Sequence, residues 1–105
     1  MTREVIKYPA VLDDLYGQAA YISGDSPEAA TRFLNAAEQT FEHLASMPDL
    51  GAVQNFKSPA FAGVRVWPIK GFPNHLIFYR GTATSIEMLR VLHAARNWQQ
   101  IVDES

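Results

Sequence analysis

The sequence predicts an α+β fold: an N-terminal strand, an antiparallel helical hairpin packed on a small antiparallel β-sheet (β-α-α-β-β-β), and a short C-terminal helix or tail. Three observations predict it. The first half of the chain carries apolar residues at helical spacing, the second half carries apolar runs of strand length, and Pro and Gly mark the breaks between them. At 105 residues the chain is expected to form a single domain, 1–105.

The first two elements are a short strand and a helix. A brief apolar alternation over residues 5–8 predicts the strand, and Pro9 stands where a helix can begin, because proline fits a first turn. The helix is indicated by apolar residues three and four positions apart, namely Leu12, Leu15, Ala19 and Ile22. We expect it to end at Ser23 and Gly24, since glycine commonly stops a helix.

The second helix has the clearest start signal. Ser26 can cap it, Pro27 fits its first position, and Glu28 places negative charge in its first turn. An apolar stripe continues it to about Met47, before Pro48: Ala30, Phe33, Leu34, Ala37, Phe41, Leu44 and Ala45. Because only a few residues join the two helices, they are predicted to form an antiparallel hairpin.

Three strands are predicted in the second half, at residues 63–69, 75–80 and 85–93. Residues 81–84 are short enough for a hairpin, whereas residues 70–74 are predicted to form a longer turn. Strict alternation of the last strand groups Leu89 and Val91 with Glu87 and His93 on one face, and Ile86, Met88, Arg90 and Leu92 on the other. Both faces are apolar, so we expect the helices to cover one face and a tail or a partner to cover part of the other. A short terminal helix with Trp98, Ile101 and Val102 would supply such a tail.

Composition excludes several classes of protein. The chain has no cysteine, hence neither a disulfide nor a thiolate metal site, and no apolar run approaches the ~20 residues of a membrane span. The net charge of −2 argues against general nucleic-acid binding. Residues 1–50 hold three basic and eight acidic side chains and residues 51–105 hold six and three, so one layer is expected to be acidic and the other basic.

Four segments together resemble a known family. They read SPEAATRFLNAAEQTFEHLASMPDLG, GVRVWPI, HLIFYR and IEMLRVLHAARNW. In order and spacing, over about residues 8–98, they are similar to the ParE branch of the RelE/ParE toxins of bacterial toxin–antitoxin systems. The resemblance implies a small cytoplasmic toxin of growth inhibition and plasmid stabilisation. A cognate ParD-like antitoxin would hold it inactive, a higher-order hetero-oligomer being one form of the complex, and DNA gyrase would be its target.

The RelE branch shares the scaffold but cleaves mRNA on the ribosome, so the alternative function is that of an mRNA endoribonuclease. Cleavage needs a base, an acid and cations, for which Arg65, Arg90 and His93 are the candidates. RelE-like nucleases often carry a tyrosine near the chain's end, where this chain has Asn97 and Trp98. We therefore expect a binding inhibitor with no catalytic residues, cofactor or metal. A degenerate, non-toxic member is a third possibility.

The residues expected to contact the antitoxin or the target are basic and aromatic: Arg65, Trp67, Tyr79, Arg80, Arg90, Arg96 and Trp98. For Arg96 we also consider an ion pair with Asp49 or Glu87, and for Arg90 an internal carboxylate or an open groove. Core packing is the rival interpretation for Trp67. His93 is interpreted as bonding to backbone at the end of its strand, and His43 and His75 stand alone without metal-ligand spacing.

Overall fold

The computed structural model describes residues 2–104, so Met1 and Ser105 of the predicted domain lie outside the described residues. Two helices, α1 (Pro9–Ser23) and α2 (Pro27–Ser46), pack on a five-stranded sheet. The strands are β1 (Glu4–Lys7), β2 (Ala52–Val53), β3 (Arg65–Ile69), β4 (Phe72–Gly81) and β5 (Ser85–His93), and a 3₁₀ turn (Pro59–Phe61) and helix α3 (Trp98–Asp103) complete the fold. The predicted fold class and element order are confirmed.

The sheet has the strand order β1-β5-β4-β3-β2. β3, β4 and β5 form the predicted antiparallel meander, while β1 pairs with β5 in parallel. The sheet is therefore mixed and not purely antiparallel. β3 and β5 both run opposite to β4, and the connection from β1 to β3, which includes both helices, makes β3 and hence β5 run in the same direction as β1. The short edge strand β2 has no sequence signal of its own, and it pairs with β3 over two residues.

The helical hairpin begins and ends close to where the sequence predicts. Ser26 Oγ accepts the N–H of Ala29 at 3.1 Å, which confirms the cap of α2. One detail of α1 is wrong: Val11 is fully buried and Leu12 is 40% exposed, so the buried stripe begins one residue earlier. None of the helices in residues 2–104 is long and apolar enough to cross a membrane.

Two hydrophobic clusters lie on opposite faces of the sheet. The first joins both helices to the sheet through Val11, Leu15, Phe33, Ala37, Phe41, Leu44, Ile77, Tyr79, Ile86, Met88 and Val91, among others. The second comprises Phe61, Val64, Phe78, Leu89, Leu92 and Val102, with Trp98 and Ile101 packed against it. The predicted cover by the C-terminal tail is thus confirmed, and both faces of the sheet are occupied.

Two strand predictions are wrong for local reasons. The turn before β4 uses only Lys70 and Gly71, because Gly71 adopts a φ of 83° and lets the chain reverse in two residues. In β5, Phe78 pairs with Arg90 but Tyr79 pairs with Met88, so Leu89 is an extra, bulged residue.

The bulge reverses the alternation predicted for β5. Leu89 lies in the cluster beneath α3 and Val91 in the cluster beneath the helical hairpin. Met88 and Leu92 are likewise on opposite faces, although strict alternation grouped them together.

Candidate functional site

Arg90 is held by an internal carboxylate on α1. Its Nε donates to Asp14 Oδ2 at 2.7 Å and its Nη2 to Asp14 Oδ1 at 2.9 Å, and the backbone N–H of Val91 donates to Asp14 Oδ2 at 3.0 Å. The hydrogen bonds to Asp14 raise the pKa of Arg90 above its ordinary value, although burial acts in the opposite direction. The internal carboxylate expected beside Arg90 is confirmed, and Arg90 is committed to joining β5 to α1.

Arg80 joins the sheet to the 3₁₀ turn. It forms an ion pair with Glu87 at 3.2 Å, and its Nη1 donates to the carbonyl oxygens of Ala60 and Ala62 at 3.0 and 3.1 Å. All of these partners lie within the chain. Arg80 therefore has a structural task that accounts for most of its hydrogen-bonding capacity.

Arg65 binds the segment that follows α2. Its Nη1 donates to the carbonyl oxygen of Gly51 at 2.7 Å, and its Nη2 lies 3.5 Å from the carboxylate of Asp49, whose side chain is 90% exposed. The exposed ion pair contributes little. Since Asp49 and Glu87 pair with Arg65 and Arg80, the expectation that either carboxylate binds Arg96 is wrong.

Tyr79 is fully buried, so the expectation that its side chain contacts a partner is not compatible with this fold. Its hydroxyl donates to the carbonyl oxygen of Pro48 at 2.8 Å and accepts the N–H of Gly51 at 2.8 Å. Burial raises the pKa of Tyr79. A Cβ on Gly51 would lie 2.7 Å from the oxygen of Val66, so only glycine allows this approach. The Tyr79 hydroxyl therefore holds the segment that follows α2, residues 48–51, against the sheet.

Two histidines meet at the end of the β4–β5 pair. His93 Nδ1 accepts the N–H of Ala95 at 3.0 Å, as the backbone interpretation predicts. His75 lies opposite His93, with ring centroids 5.0 Å apart. Gln18 donates from Nε2 to the carbonyl oxygen of Val91 at 2.7 Å, so its Oε1 accepts from His75 Nδ1 at 2.6 Å.

His75 has a perturbed environment that spacing in the sequence did not indicate. Burial lowers its pKa below 6.5, and the neighbouring His93 lowers it further. Its Nδ1 carries the proton donated to Gln18, so Nε2 is the nitrogen that titrates. The register set by the turn, where Gly81 pairs with Ile86, would place His75 opposite Leu92. The bulge at Leu89 shifts the pairing by one residue and brings His75 opposite His93, so no sequence signal indicated this contact.

The histidines border a cleft of about 560 Å³, here called the α1–β5 cleft. Five α1 residues form one side and three residues of the sheet end form the other: Asp13, Asp14, Gly17, Gln18 and Tyr21 against His75, His93 and Arg96. Arg96 is exposed, and within residues 2–104 its guanidinium makes no ion pair or hydrogen bond. In this respect it differs from Arg65, Arg80 and Arg90.

A second cleft of about 470 Å³ lies between α2 and β3, and it is called the α2–β3 cleft below. Its lining consists of Gln39, Thr40, His43, Trp67, Pro68 and Lys70. Trp67 is partly buried and packs against the cluster beneath the hairpin, so it serves both as core and as cleft wall. Trp98 packs against Phe56 and Phe78, with ring centroids 5.9 and 5.5 Å away, and is mainly a core residue.

The three residues of the nuclease alternative do not converge. Arg65 pairs opposite Tyr79 and His93 opposite His75, four residues apart on β4, which corresponds to about 13 Å along the strand. Arg65 and Arg90 also pair with carboxylates of the chain. Within residues 2–104, no group of three or more His, Asp or Glu side chains is placed to hold a metal ion.

Comparisons with known proteins agree with this geometry. The family model described as the ParE toxin of the type II toxin–antitoxin system parDE matches residues 5–98. A solved structure, the chromosomal ParDE TA system from P. aeruginosa, is similar with a TM-score of 0.68 and 18% sequence identity. The similarity covers 88% of this chain and 96% of that chain, and at this identity it shows the fold alone. No curated protein sequence matches the chain.

Proposed function

The chain belongs to the ParE family of toxins of type II toxin–antitoxin systems, and from this premise we propose that it inhibits DNA gyrase by direct binding. A cognate ParD-like antitoxin neutralises it in the cytoplasm, where the pair assembles as a hetero-oligomer. The toxin alone does not bind DNA sequence-specifically. Growth inhibition and plasmid stabilisation follow from release of the toxin when the antitoxin is lost.

One observation supports binding over chemistry: the arginines on the strands are committed to partners within the chain. Arg90 binds Asp14 in a bidentate pair, and Arg80 binds Glu87 and two carbonyl oxygens. Breaking a phosphodiester bond requires cations free to stabilise the charge that develops in the transition state. Cations already neutralised in the ground state are poorly suited to that task.

The α2–β3 cleft is the proposed contact for the antitoxin. Trp67 offers an aromatic wall, and Lys70 supplies a positive charge at the rim. Aromatic residues in partly enclosed pockets dominate many protein interfaces, and the lysine favours an acidic segment.

The test of the target is a supercoiling assay with purified gyrase and purified toxin. We expect supercoiling to slow with increasing toxin and to recover when antitoxin is added, while RNA in the same mixture stays intact. Normal supercoiling at saturating toxin, from material that still binds antitoxin, would exclude gyrase inhibition. Unaffected growth on induction would instead support the degenerate, non-toxic alternative.

The RelE-like alternative has one observation in its favour, the juxtaposition of His75, His93 and Arg96 around the α1–β5 cleft. Mapping mRNA 5′ ends during induced expression tests it. Cuts in phase with codons that disappear in His93→Ala but persist in His43→Ala would favour cleavage. We expect no such cuts.

The test of the antitoxin contact compares two tryptophans. Trp67→Ala is expected to weaken antitoxin binding about tenfold or more, with a modest fall in Tm, whereas Trp98→Ala is expected to lower Tm with little change in affinity. Binding is measured by calorimetry and Tm by circular dichroism. If Trp67→Ala lost stability and kept its affinity, Trp67 would be a core residue only.

A further inference from the structure

The outer side of α1 carries a surface that the chain itself does not cover. Tyr16 is 63% and Tyr21 85% exposed. Between them lie two small residues, Gly17 and Ala20, and Asp13 precedes them by one turn, all exposed. We call these five residues the α1 outer face. Exposed aromatic side chains such as these tyrosines are enriched at surfaces that bind another protein.

Gly17 is the most informative residue of this face. It lies inside a helix, where glycine is destabilising relative to alanine. A Cβ at this position would meet nothing within 4 Å, so packing within the chain does not explain the glycine. A glycine on an exposed helical face lets a second backbone approach closely, which gives this costly residue a physical use.

Two opposite charges flank the same face without partners in the chain. Asp13 and Arg96 both line the α1–β5 cleft, and within the described residues 2–104 neither side chain forms an ion pair or hydrogen bond. The adjacent Asp14, by contrast, is fully engaged by Arg90 and Val91. The unpaired Asp13 carboxylate and the unpaired Arg96 guanidinium therefore lie on one continuous surface.

We propose that the α1 outer face binds the same face of a second copy of this chain across a two-fold axis near Gly17. A two-fold interface requires a self-complementary surface, in which every contact is made twice. The α1 outer face and the adjoining Arg96 together contain both members of each pair that such a contact needs. Tyr21 projects beside a cleft of about 560 Å³ that can receive the other copy's Tyr21, and Asp13 faces the other copy's Arg96.

The size of the face indicates a weak dimer. A stable interface buries about 800 Å² on each protein, roughly one eighth of the 6100 Å² that this chain exposes. A helix of 15 residues is about 22 Å long, so α1 provides only part of that area and the cleft and the Arg96 turn provide the remainder. We expect pairing in the micromolar range, which would bring two toxins together within an antitoxin complex.

The first experiment measures self-association of the purified full chain by sedimentation equilibrium from about 1 to about 300 µM. We expect wild type to dimerise reversibly. Gly17→Ala is expected to raise Tm, since the helix gains and nothing is displaced, while weakening the dimer about tenfold or more because the backbones can no longer approach. This combination of higher stability and weaker association would not arise from a folding defect.

The second experiment exchanges the charges. Asp13→Arg alone and Arg96→Asp alone are each expected to abolish the dimer by placing like charges together, and the double variant is expected to restore it. Glu42→Arg, at an exposed α2 position, is the matched control for the change in net charge made by Asp13→Arg and should dimerise as wild type does.

Three results would overturn the proposal. A wild-type chain that stays monomeric at every concentration excludes a second copy. A dimer unaffected by Gly17→Ala and by the single charge reversals places the contact elsewhere. Hydrogen exchange that is slowed in α1 only when antitoxin is added would assign this face to the antitoxin.

Discussion

The arginines of the sheet and the arginine beyond it have opposite surroundings. Arg80 and Arg90 lie on central strands, and each is bound by a carboxylate of the chain. Arg96 follows β5 by only a few residues, yet within residues 2–104 its side chain has no partner. Arginines that are close in sequence thus have two different environments: Arg80 and Arg90 are neutralised within the chain, whereas the Arg96 side chain faces solvent.

The difference shows where surface for a partner remains. A largely buried guanidinium must be neutralised internally, because an unpaired buried charge costs several kcal/mol. Once that requirement is met, such an arginine has little capacity left for a partner. The free groups instead lie along the outer side of α1, where Asp13 and Arg96 border the α1–β5 cleft.

The largest expected effect comes from removing the carboxylate that neutralises Arg90. Asp14→Ala leaves a guanidinium whose side chain is only 19% exposed without its bidentate partner, and it also frees the N–H of Val91. We expect a loss of about 3 kcal/mol in the free energy of unfolding. Urea denaturation followed by circular dichroism measures it.

The neighbouring residue provides the control. Asp13→Ala removes a carboxylate of the same helix turn that has no partner within the described residues, and we expect a change within about 0.5 kcal/mol. The comparison between the two regions would fail if the two substitutions were equally destabilising.

The next effect concerns two tyrosines, one in each region. Tyr79→Phe deletes a buried hydroxyl that bridges Pro48 and Gly51, and we expect it to cost about 2 kcal/mol because both backbone groups lose their partner. Tyr21→Phe, at an 85% exposed position, should leave stability unchanged. Equal unfolding midpoints for the two variants would mean that water replaces the Tyr79 hydroxyl.

The fold was predictable to the extent that its signals are local. Ser26 and Pro27 indicate the start of α2, and its apolar residues Phe33, Ala37 and Phe41 recur at helical spacing. Both signals are recognisable without knowledge of the tertiary structure. The bulge at Leu89 has no such signal. One extra residue in β5 reverses the faces of everything after it, and only the register with β4 reveals it.

The site was predictable to a smaller extent. Arg90 and Asp14 are 76 residues apart, and no spacing tells which of the chain's carboxylates will neutralise a given arginine. In the sequence, Tyr79 is predicted to be an exposed aromatic residue on an alternating strand. In the fold its hydroxyl bonds to the backbone of Pro48 and Gly51, a contact that depends on the tertiary structure. Gly17 offered one local signal, a glycine within a helical stripe, because glycine weakens a helix unless something else requires it.

A smaller effect compares two arginines directly. Arg80→Ala removes the pair with Glu87 and two hydrogen bonds to carbonyl oxygens, and since its side chain is 28% exposed we expect a cost of about 1.5 kcal/mol. Arg96→Ala is expected to change stability by less than about 0.5 kcal/mol. A large loss on removing Arg96 would show that its guanidinium binds within the folded chain.

The smallest expected effect concerns His75, which lies between the packed sheet and the open surface. It bonds to Gln18 and also lines the α1–β5 cleft. Burial holds the pKa of His75 below the 6.5 of an exposed histidine. Just below pH 6.5, His75 is therefore protonated in the unfolded chain while it stays neutral in the folded chain. The contribution to stability is complete above pH 6.5 and is lost as pH falls through the depressed pKa.

Comparing unfolding free energies at about pH 7.5 and about pH 5.5 isolates this contribution. His75→Asn should lose less stability on acidification than wild type, whereas His43→Asn, at an exposed α2 position, should behave as wild type. Asp13, Asp14 and Arg96 around the cleft are the same in all three proteins. The interaction with His93, which also lowers the pKa of His75, is lost with His75 and is part of the measured difference. An unchanged slope in His75→Asn would mean that the cleft hydrates His75 fully, so that this residue belongs with the open surface and not with the packed sheet.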